Sequence, residues 1–433
     1  MTTATDLDLE RRTIRKLFLR LLPFLFLLYI VSYLDRINVG FAKLQMQGLL
    51  GFDERVFGTG FGIFFAGYFF FQVPSNLLLE KVGVRRWIAG LMIVWGFVSC
   101  SMIFIRTPFS FYVLRFLLGA AEAGFFPGMI LYMKHWFPSG ARARAVALFM
   151  TANPLAGVIG SPISGLLLVL HIGKLAGWQW LFVLEALPAV ILGLVVYWVL
   201  PEMPSTATWL SNEEKAWLSQ KLQQESSGEI PLAKNELIAA LGSLRIWILA
   251  LVYFGLPTCM YGITLWLPTA IHGLSGAGYA ATGIIATIPF IATTIAMVLA
   301  GMNSDRMQER CWHTGLAAFA AAAGLVGAAY SSAPALVISG MTLGMMGAQS
   351  MAGPFWAMAT VQIGARAAAG IAVINSVANL GGYLGPYIIG LFRSQNGQFR
   401  GGLLAIASVM LISGSLALLV GSRSEKVQAA IGP

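Results

Sequence analysis

Four charged side chains lie inside long apolar segments of the sequence. Asp35 and Arg36 are neighbours in the first segment, and Arg115 and Glu122 are seven residues apart in the fourth. An ionised group at the middle of a bilayer costs roughly 2.5 to 3.5 kcal/mol on insertion scales, and residues kept at that cost usually line a pathway. These four residues are the first candidates for chemistry in this chain.

The two acids are candidates for coupling protons to a change of shape. Burial disfavours the charged form of a carboxyl group, and a nearby arginine favours it. Moving the arginine therefore changes whether the carboxyl group is protonated. Counted at 1.5 Å per residue, Glu122 lies roughly 16 Å below the outer end of its helix and Asp35 roughly 10 Å below its own. We predict that Glu122 carries the coupled proton, that Asp35 is the second candidate, and that Asp35 faces Arg115.

Arg36 is a candidate for binding an anion. Adjacent residues on a helix point about 100° apart, so Arg36 and Asp35 do not simply neutralise one another. A guanidinium pointing into a central cavity can hold a carboxylate or a sulfonate through two parallel hydrogen bonds. We therefore predict that Arg36 binds the substrate. A static buried network of all four charges is the structural alternative, although buried ion pairs are weak stabilisers.

The composition indicates the elements that position these residues. Of 433 residues, 58% are hydrophobic and only 11% are charged, which is too apolar for an ordinary soluble protein. Apolar runs of about 20 residues recur, each long enough to cross a bilayer as a helix. The sequence predicts an all-α integral membrane protein with twelve transmembrane helices. The predicted spans cover residues 21–42, 57–79, 87–105, 111–133, 145–170, 179–200, 245–271, 279–300, 313–330, 334–357, 367–391 and 402–420.

A polar stretch divides the spans into two bundles of six. We predict an N-terminal bundle at 1–200, a cytoplasmic linker at 201–243 and a C-terminal bundle at 244–433. Within the linker, Ser211 stands three residues before Glu214, which is the capping-box arrangement for the start of a helix.

The formal charge of +10 is explained by topology rather than by nucleic acid binding. Twenty of the 28 Lys and Arg residues fall on the side of the N-terminus, six fall on the other side, and Arg36 and Arg115 lie between. This asymmetry predicts a cytoplasmic location for both termini. The absence of interleaved basic and aromatic residues argues against a nucleic acid partner. We predict a multi-pass protein of the bacterial inner membrane.

An internal repeat supports two related halves. Glu80, between the second and third spans, and Asp305, between the eighth and ninth, are 225 residues apart. The residue at the same offset from Arg36 is the uncharged Tyr261. We therefore expect the buried charges to belong to the N-terminal half alone. Binding sites of duplicated transporters lie between the repeats. We therefore expect the C-terminal half to supply polar and aromatic contacts.

Several motifs together resemble one family of transporters. They are the loop at 80–85 with its weaker copy at 305–310, Leu34–Ala42, Val73–Asn76, Leu114–Phe125, Gly177–Phe182 and Asn375–Gly382. The chain resembles the major facilitator superfamily and, within it, the anion:cation symporter family, which includes bacterial permeases for galactonate, tartrate, phthalate and 4-hydroxyphenylacetate. Glu80, Val84 and Gln179 depart from the usual pattern.

The resemblance implies roles for the residues that match. In such relatives the acids equivalent to Asp35 and Glu122 take protons, the equivalent of Arg36 binds the substrate carboxylate, and the equivalent of Arg115 exchanges partners. Tyr33 and Tyr68 match positions that line the substrate cavity, although both also suit ordinary packing. A monomer is the expected state.

Further candidates follow from polar or aromatic residues within the spans. We predict that Asn153, Tyr261, Trp356, Asn375 and Asn379 contribute to the substrate cavity. Hydrogen bonds between helices and ordinary packing are the alternatives. The loop residues Glu80, Arg85, Asp305 and Arg306 are predicted to join the halves at the cytoplasmic face when the site opens outward.

These observations predict a transporter that imports a small organic anion, a carboxylate or a sulfonate, together with protons by alternating access. Exchange of one organic anion for another is the alternative, and a membrane sensor without transport is a more distant one. No HExxH motif, paired catalytic carboxylates or nucleophile elbow occurs, so we predict neither an enzyme nor a metal or other cofactor. The sequence does not identify the anion.

Overall fold

A computed structural model describes residues 4–226, 234–363 and 367–431. Within these ranges every regular element is helical. The helices are α1 (Ala4–Arg20), α2 (Leu22–Leu50), α3 (Glu54–Val82), α4 (Val84–Cys100), α5 (Pro108–Glu122), α6 (Phe125–Trp136), α7 (Ser139–Met150), α8 (Ala152–Leu167), α9 (Gly177–Val199), α10 (Asn212–Ser226), α11 (Lys234–Leu241), α12 (Leu244–Ser275), α13 (Tyr279–Met307), α14 (Cys311–Tyr330), α15 (Pro334–Ser350), α16 (Ala352–Ile363), α17 (Ala367–Asn396) and α18 (Arg400–Ile431).

The predicted spans correspond to these helices, with two differences. The fourth, fifth and tenth spans are each broken into two helices, and the break in the fourth falls directly after Glu122. Among the described residues, eleven helical stretches are long and apolar enough to cross a membrane, and the span at 367–391 is not one of them. Its Asn375 and Asn379 lower its hydropathy, because α17 faces other helices rather than lipid.

The helices form two bundles of six spans that meet along three pairs of helices. The N-terminal bundle contains the helices from α2 to α9, and the C-terminal bundle contains those from α12 to α18. Across the interface, α3 packs on α17, α8 packs on α13 and α2 packs on α12. The division of the chain at 200 and 243 stays a prediction, and the helices that flank it end at Val199 and begin at Leu244.

Small residues bring the two bundles closest at one end. We name the end that carries α1 and α10 the inner end and the opposite end the outer end, following the predicted topology. At the outer end, a Cβ added to Gly58 of α3 would lie 2.9 Å from the Cα of Gly390 of α17, and Gly165 of α8 similarly approaches Gly283 of α13. Glycine permits such close contact between backbones.

The linker helix α10 binds the N-terminal bundle at the inner end. Glu214 accepts a hydrogen bond from Lys16 at 2.9 Å and forms an ion pair with Arg12 at 3.0 Å. Its backbone N–H bonds the Ser211 hydroxyl and its carboxylate bonds the Ser211 N–H, so the predicted capping box is confirmed. Burial would raise the pKa of Glu214, but the hydrogen bonds and the two cations lower it.

The predicted inner gate residues form ion pairs that do not join the two halves. Arg85 pairs at 3.3 Å with Glu202, at the start of the predicted linker, and Asp305 pairs with Arg310 of the C-terminal half at 2.6 Å. Arg306 is exposed, and the side chain of Glu80 lies outside what the structure describes. No ion pair between these loops is present among the described residues, so their joining of the two halves stays a prediction for another conformation.

Candidate functional site

An ion pair between Arg36 and Glu122 lies at the centre of the N-terminal half. The Arg36 Nε donates to Glu122 Oε2 at 2.8 Å, and both side chains are buried. Glu122 is the last residue of α5, where the fourth span breaks before Gly124. Arg36 lies in the middle of α2, which packs against α12 of the other half. The pair therefore lies beside the interface at which the two bundles meet.

Aromatic rings from both halves surround the Arg36 guanidinium. Tyr68 and Phe64 of α3 hold their ring centroids 5.1 and 5.6 Å from its Cζ, within range of cation–π attraction. Tyr261 of α12 places its hydroxyl 3.5 Å from the Arg36 Nη1, and its ring lies 6.3 Å from that of Tyr33. The structure thus brings four predicted site residues, Tyr33, Arg36, Tyr68 and Tyr261, next to Glu122.

Two polar atoms of the pair remain without a hydrogen-bond partner in the described part of the chain. They are Nη2 of Arg36 and Oε1 of Glu122, both fully buried. Polar atoms buried in this way are costly, and in functional sites they commonly await a ligand. The unpartnered guanidinium nitrogen is a group that an organic anion can bond.

Asp35 is held differently from the expected pairing with Arg115. Its Oδ1 accepts hydrogen bonds from Ser99 at 2.7 Å and from Asn38 at 3.4 Å, and the described residues contain no ion pair between Asp35 and Arg115. The Arg115 Nε instead donates to the Gly60 carbonyl at 3.2 Å. Residue depth predicted that pair, but depth does not fix how each helix is rotated about its axis.

Arg115 contacts the same aromatic ring as Arg36. Its Cζ is 4.9 Å from the centroid of Phe64, whose ring also contacts Arg36. Arg115 is almost fully buried, and its Nη1 has no partner among the described residues. Arg115 and Arg36 therefore share one aromatic neighbour, while Glu122 bonds only Arg36.

The remaining predicted cavity residues lie farther from the pair. Asn379 of α17 donates to Gln72 of α3 at 3.4 Å, which is a hydrogen bond between the two halves. Asn375 lies one turn before Asn379 and is half-buried, as is Asn153 in α8. Trp356 packs its ring on Tyr253 at 4.9 Å within the C-terminal half.

Sequence reasoning missed several partners of the central site. Ser99 bonds Asp35, and Phe64 contacts both arginines, but nothing distinguishes either from other serines and phenylalanines in the spans. Glu185 is buried and accepts a hydrogen bond from Ser164 at 2.6 Å. These partners depend on helix contacts that no local pattern encodes.

A second ion cluster, also missed, joins the two halves at the outer end. Glu54, the first residue of α3, pairs with Lys43 of α2 at 3.0 Å and with Arg393 of α17 at 3.0 Å. Lys43 is fully buried, and its Nζ lies 4.9 Å from the centroid of the Trp266 ring. Arg393 stacks on Phe399 at 4.1 Å. We call Lys43, Glu54 and Arg393 the outer ion cluster.

The geometry suits reversible binding of an anion rather than bond-making chemistry. The described residues contain no group of three or more His, Cys, Asp or Glu side chains arranged to hold a metal ion. The central site instead offers one carboxylate, one paired guanidinium and several rings at an interface between two bundles. Sites of secondary transporters have this location.

Comparison with known proteins finds relatives that are similar to this chain over nearly its whole length. It is 48% identical over 421 residues to the "Putative tartrate transporter" of Agrobacterium vitis, covering 97% of this chain and 93% of that protein. It is 38% identical over 422 residues to the "Quinolone resistance transporter" of Acinetobacter baumannii, covering 97% of each.

The fold has solved counterparts. A bacterial homologue of the human lysosomal transporter Spinster, in an inward-facing and occupied conformation, superposes with a TM-score of 0.74 at 14% identity, over 93% of this chain and 96% of that chain. Residues 25–386 match the family model described as Major Facilitator Superfamily. Members of this family are multi-pass membrane transporters, so the prediction that the chain is not an enzyme is confirmed. The chain belongs to the major facilitator superfamily.

Proposed function

We propose that this transporter imports a small organic anion together with protons across the bacterial inner membrane, with both termini in the cytoplasm. The observation that carries the proposal is the buried pair of Arg36 and Glu122, in which one guanidinium nitrogen and one carboxylate oxygen have no partner among the described residues. This arrangement places a binding group for an anion in direct contact with a group that can be protonated.

The contact provides a mechanism for coupling. While Glu122 is ionised, its carboxylate competes with an incoming anion for the same guanidinium. A proton on Glu122 weakens that competition, so binding of the proton and binding of the anion favour each other. Release on the opposite side reverses both steps. A transporter that binds its two substrates in this way is a symporter.

The aromatic rings around Arg36 restrict what the anion contacts. Tyr68, Phe64 and Tyr261 exclude water and leave the hydroxyls of the tyrosines available for hydrogen bonds. A small carboxylate with few hydroxyl groups suits this setting better than a long polyol acid. The similarity to a protein named a tartrate transporter supports the same class, and tartrate is therefore the first compound to test.

The test is proton movement into liposomes that contain the purified protein. Tartrate, sugar acids, aromatic acids and sulfonated acids are added outside in turn, and the external pH is recorded. Symport predicts external alkalinisation with one of these compounds. Glu122→Gln is expected to abolish the alkalinisation while still binding the compound, because the neutral amide imitates the protonated acid.

Glu185→Gln is the matched control, because Glu185 is equally buried but bonds Ser164 instead of an arginine. This control is expected to retain coupled uptake. A compound that binds and exchanges for preloaded anion without moving protons would replace symport with anion exchange. Unchanged proton movement in Glu122→Gln would remove Glu122 from the mechanism.

A further inference from the structure

We propose that the outer end contains a separate capture site for the incoming carboxylate, which opens the outer end by replacing Glu54 on Arg393. A cavity of about 700 Å³ lies there, between α2 and α3 of one half and α12, α14 and α17 of the other. Arg393, Arg400 and Glu54 are the charged residues that line it. The inference rests on the proposed function, because it assumes an organic anion arriving from this side.

The shape of this outer cavity suits a small ligand. Its volume lies within the range of roughly 300 to 1,000 Å³ that is usual for small-molecule sites. Arg400 and Gln398 are exposed at its mouth, whereas Arg393 is largely covered. An anion would therefore meet Arg400 first and Arg393 at greater depth.

Positive charge exceeds negative charge around the cavity. Arg393, Arg400 and the buried Lys43 carry three positive charges, against the single carboxylate of Glu54. His272 also lines the cavity, where its Nδ1 lies 2.6 Å from the Ala277 carbonyl. Excess charge of one sign in a cleft raises the local concentration of ligands with the opposite charge.

Two polar atoms in the wall have no hydrogen-bond partner among the described residues. They are Nε of Arg393 and Oγ1 of Thr269, both buried. A carboxylate at Arg393 would satisfy the first, and a hydroxyl group of the ligand would be a suitable partner for the second. Both groups are present in a small hydroxycarboxylate such as tartrate.

Exchange of partners at Arg393 leaves no buried charge unpaired. Glu54 binds Arg393 of the other half through Oε1 and Lys43 of its own half on the side of Oε2. When a ligand carboxylate takes Arg393, Glu54 keeps Lys43, so the penalty for an unpaired buried carboxylate is avoided. The exchange breaks the ion pair that joins the two halves at this end.

The experiment measures opening of the outer end against tartrate concentration. Spin labels are placed at Lys174→Cys and Ser394→Cys, exposed positions on opposite halves, after Cys100, Cys259 and Cys311 are replaced by serine. The full-length protein in lipid nanodiscs is titrated with tartrate, and the label separation is followed by double electron–electron resonance. Uptake into liposomes is measured on the same variants.

Arg400→Gln tests the capture site without touching the outer ion cluster. We expect it to need about five- to tenfold more tartrate for half-maximal opening and for half-maximal uptake, because one charged contact is lost. Arg106→Gln is the control, since Arg106 is an exposed arginine of an outer loop that does not line the cavity.

The outcomes separate this inference from the proposed function. Equal tartrate requirements in Arg400→Gln and in the unchanged protein, or no opening with tartrate at all, would overturn the capture site even if uptake is coupled to protons. Opening with the expected shift but without proton movement would support the capture site and reject symport.

Discussion

The two ends of the interface between the halves differ in how they are joined. At the outer end, Glu54 pairs with Arg393 across the interface, and glycines bring α3 against α17. At the inner end, the described ion pairs of the gate loops do not join the two halves, and Arg85 pairs with Glu202 at the start of the predicted linker. The structure is therefore closed by specific contacts at the outer end, and the inner end is free of the corresponding ion pairs in the described loops.

This difference indicates which contacts must break during transport. Alternating access requires the outer end to open, so the glycine contacts and the outer ion cluster must separate in each cycle. The central pair of Arg36 and Glu122 lies within one half and need not break for the halves to rock. Its partners change only when a ligand or a proton arrives.

The largest expected effect comes from placing a large side chain in the glycine contact between α3 and α17 at the outer end. Gly58→Leu places a side chain where even a Cβ would lie 2.9 Å from Gly390. Overpacking costs about 1–3 kcal/mol, which shifts the balance towards an open outer end by about five- to 160-fold. We expect a longer distance between labels at Lys174 and Ser394, together with loss of uptake.

Gly48→Leu is the control for Gly58→Leu. Gly48 lies in the outer part of α2, and a Cβ there meets no atom within 4 Å. Both substitutions change glycine to leucine within a helix, so they share the same gain in helix propensity. Equal label distances in the two variants would show that the glycine contact does not hold the outer end closed.

A smaller shift is expected when only the ion pair across the interface is removed. Arg393→Gln leaves Glu54 paired with Lys43 and removes its ion pair with the other half. Charged hydrogen bonds that are largely buried contribute about 1.5 kcal/mol, so the open outer end should become about tenfold more populated. The same labels measure it, and a population equal to that of the unchanged protein would contradict the prediction.

The central site could be predicted from sequence to a large extent, because charges in apolar segments are conspicuous. Asp35, Arg36, Arg115 and Glu122 were all found in this way, and all four are buried. The repeat offset added Tyr261, which lies 225 residues after Arg36 and meets it across the interface. Equivalent residues of two halves can meet when both lie close to the axis that relates the halves.

The outer ion cluster could not be predicted in the same way. Lys43, Glu54 and Arg393 lie near the ends of their helices, where charges are common because the helices reach water. Glu54 and Arg393 are 339 residues apart, so their contact depends on how the two bundles pack. Exposed loop charges and a buried ion pair therefore look alike in the sequence.

The smallest effect on transport is expected from the ion pairs between α10 and α1 at the inner end, which do not involve the C-terminal half. Glu214→Gln removes the carboxylate that binds Lys16 and Arg12, which should loosen α10 from α1. We expect several-fold faster hydrogen exchange in α10, with unchanged uptake and unchanged label distance at the outer end. Glu213→Gln is the matched control, because Glu213 is largely exposed and its closest approach to Arg12 is a long 4.0 Å.

Acid should have the same effect on α10 as this substitution. The folded-state pKa of Glu214 is lowered below its ordinary value of 4.5, since the hydrogen bonds and cations outweigh its burial. Its contribution is therefore complete above pH 4.5 and is lost as the pH falls through the lowered pKa. Protection factors for hydrogen exchange in α10, which correct for the slower intrinsic exchange in acid, should fall over that acidic range in the unchanged protein but not in Glu214→Gln. A change in the outer label distance on Glu214→Gln would mean that the linker also acts on the interface, and the two ends would then be coupled through α10.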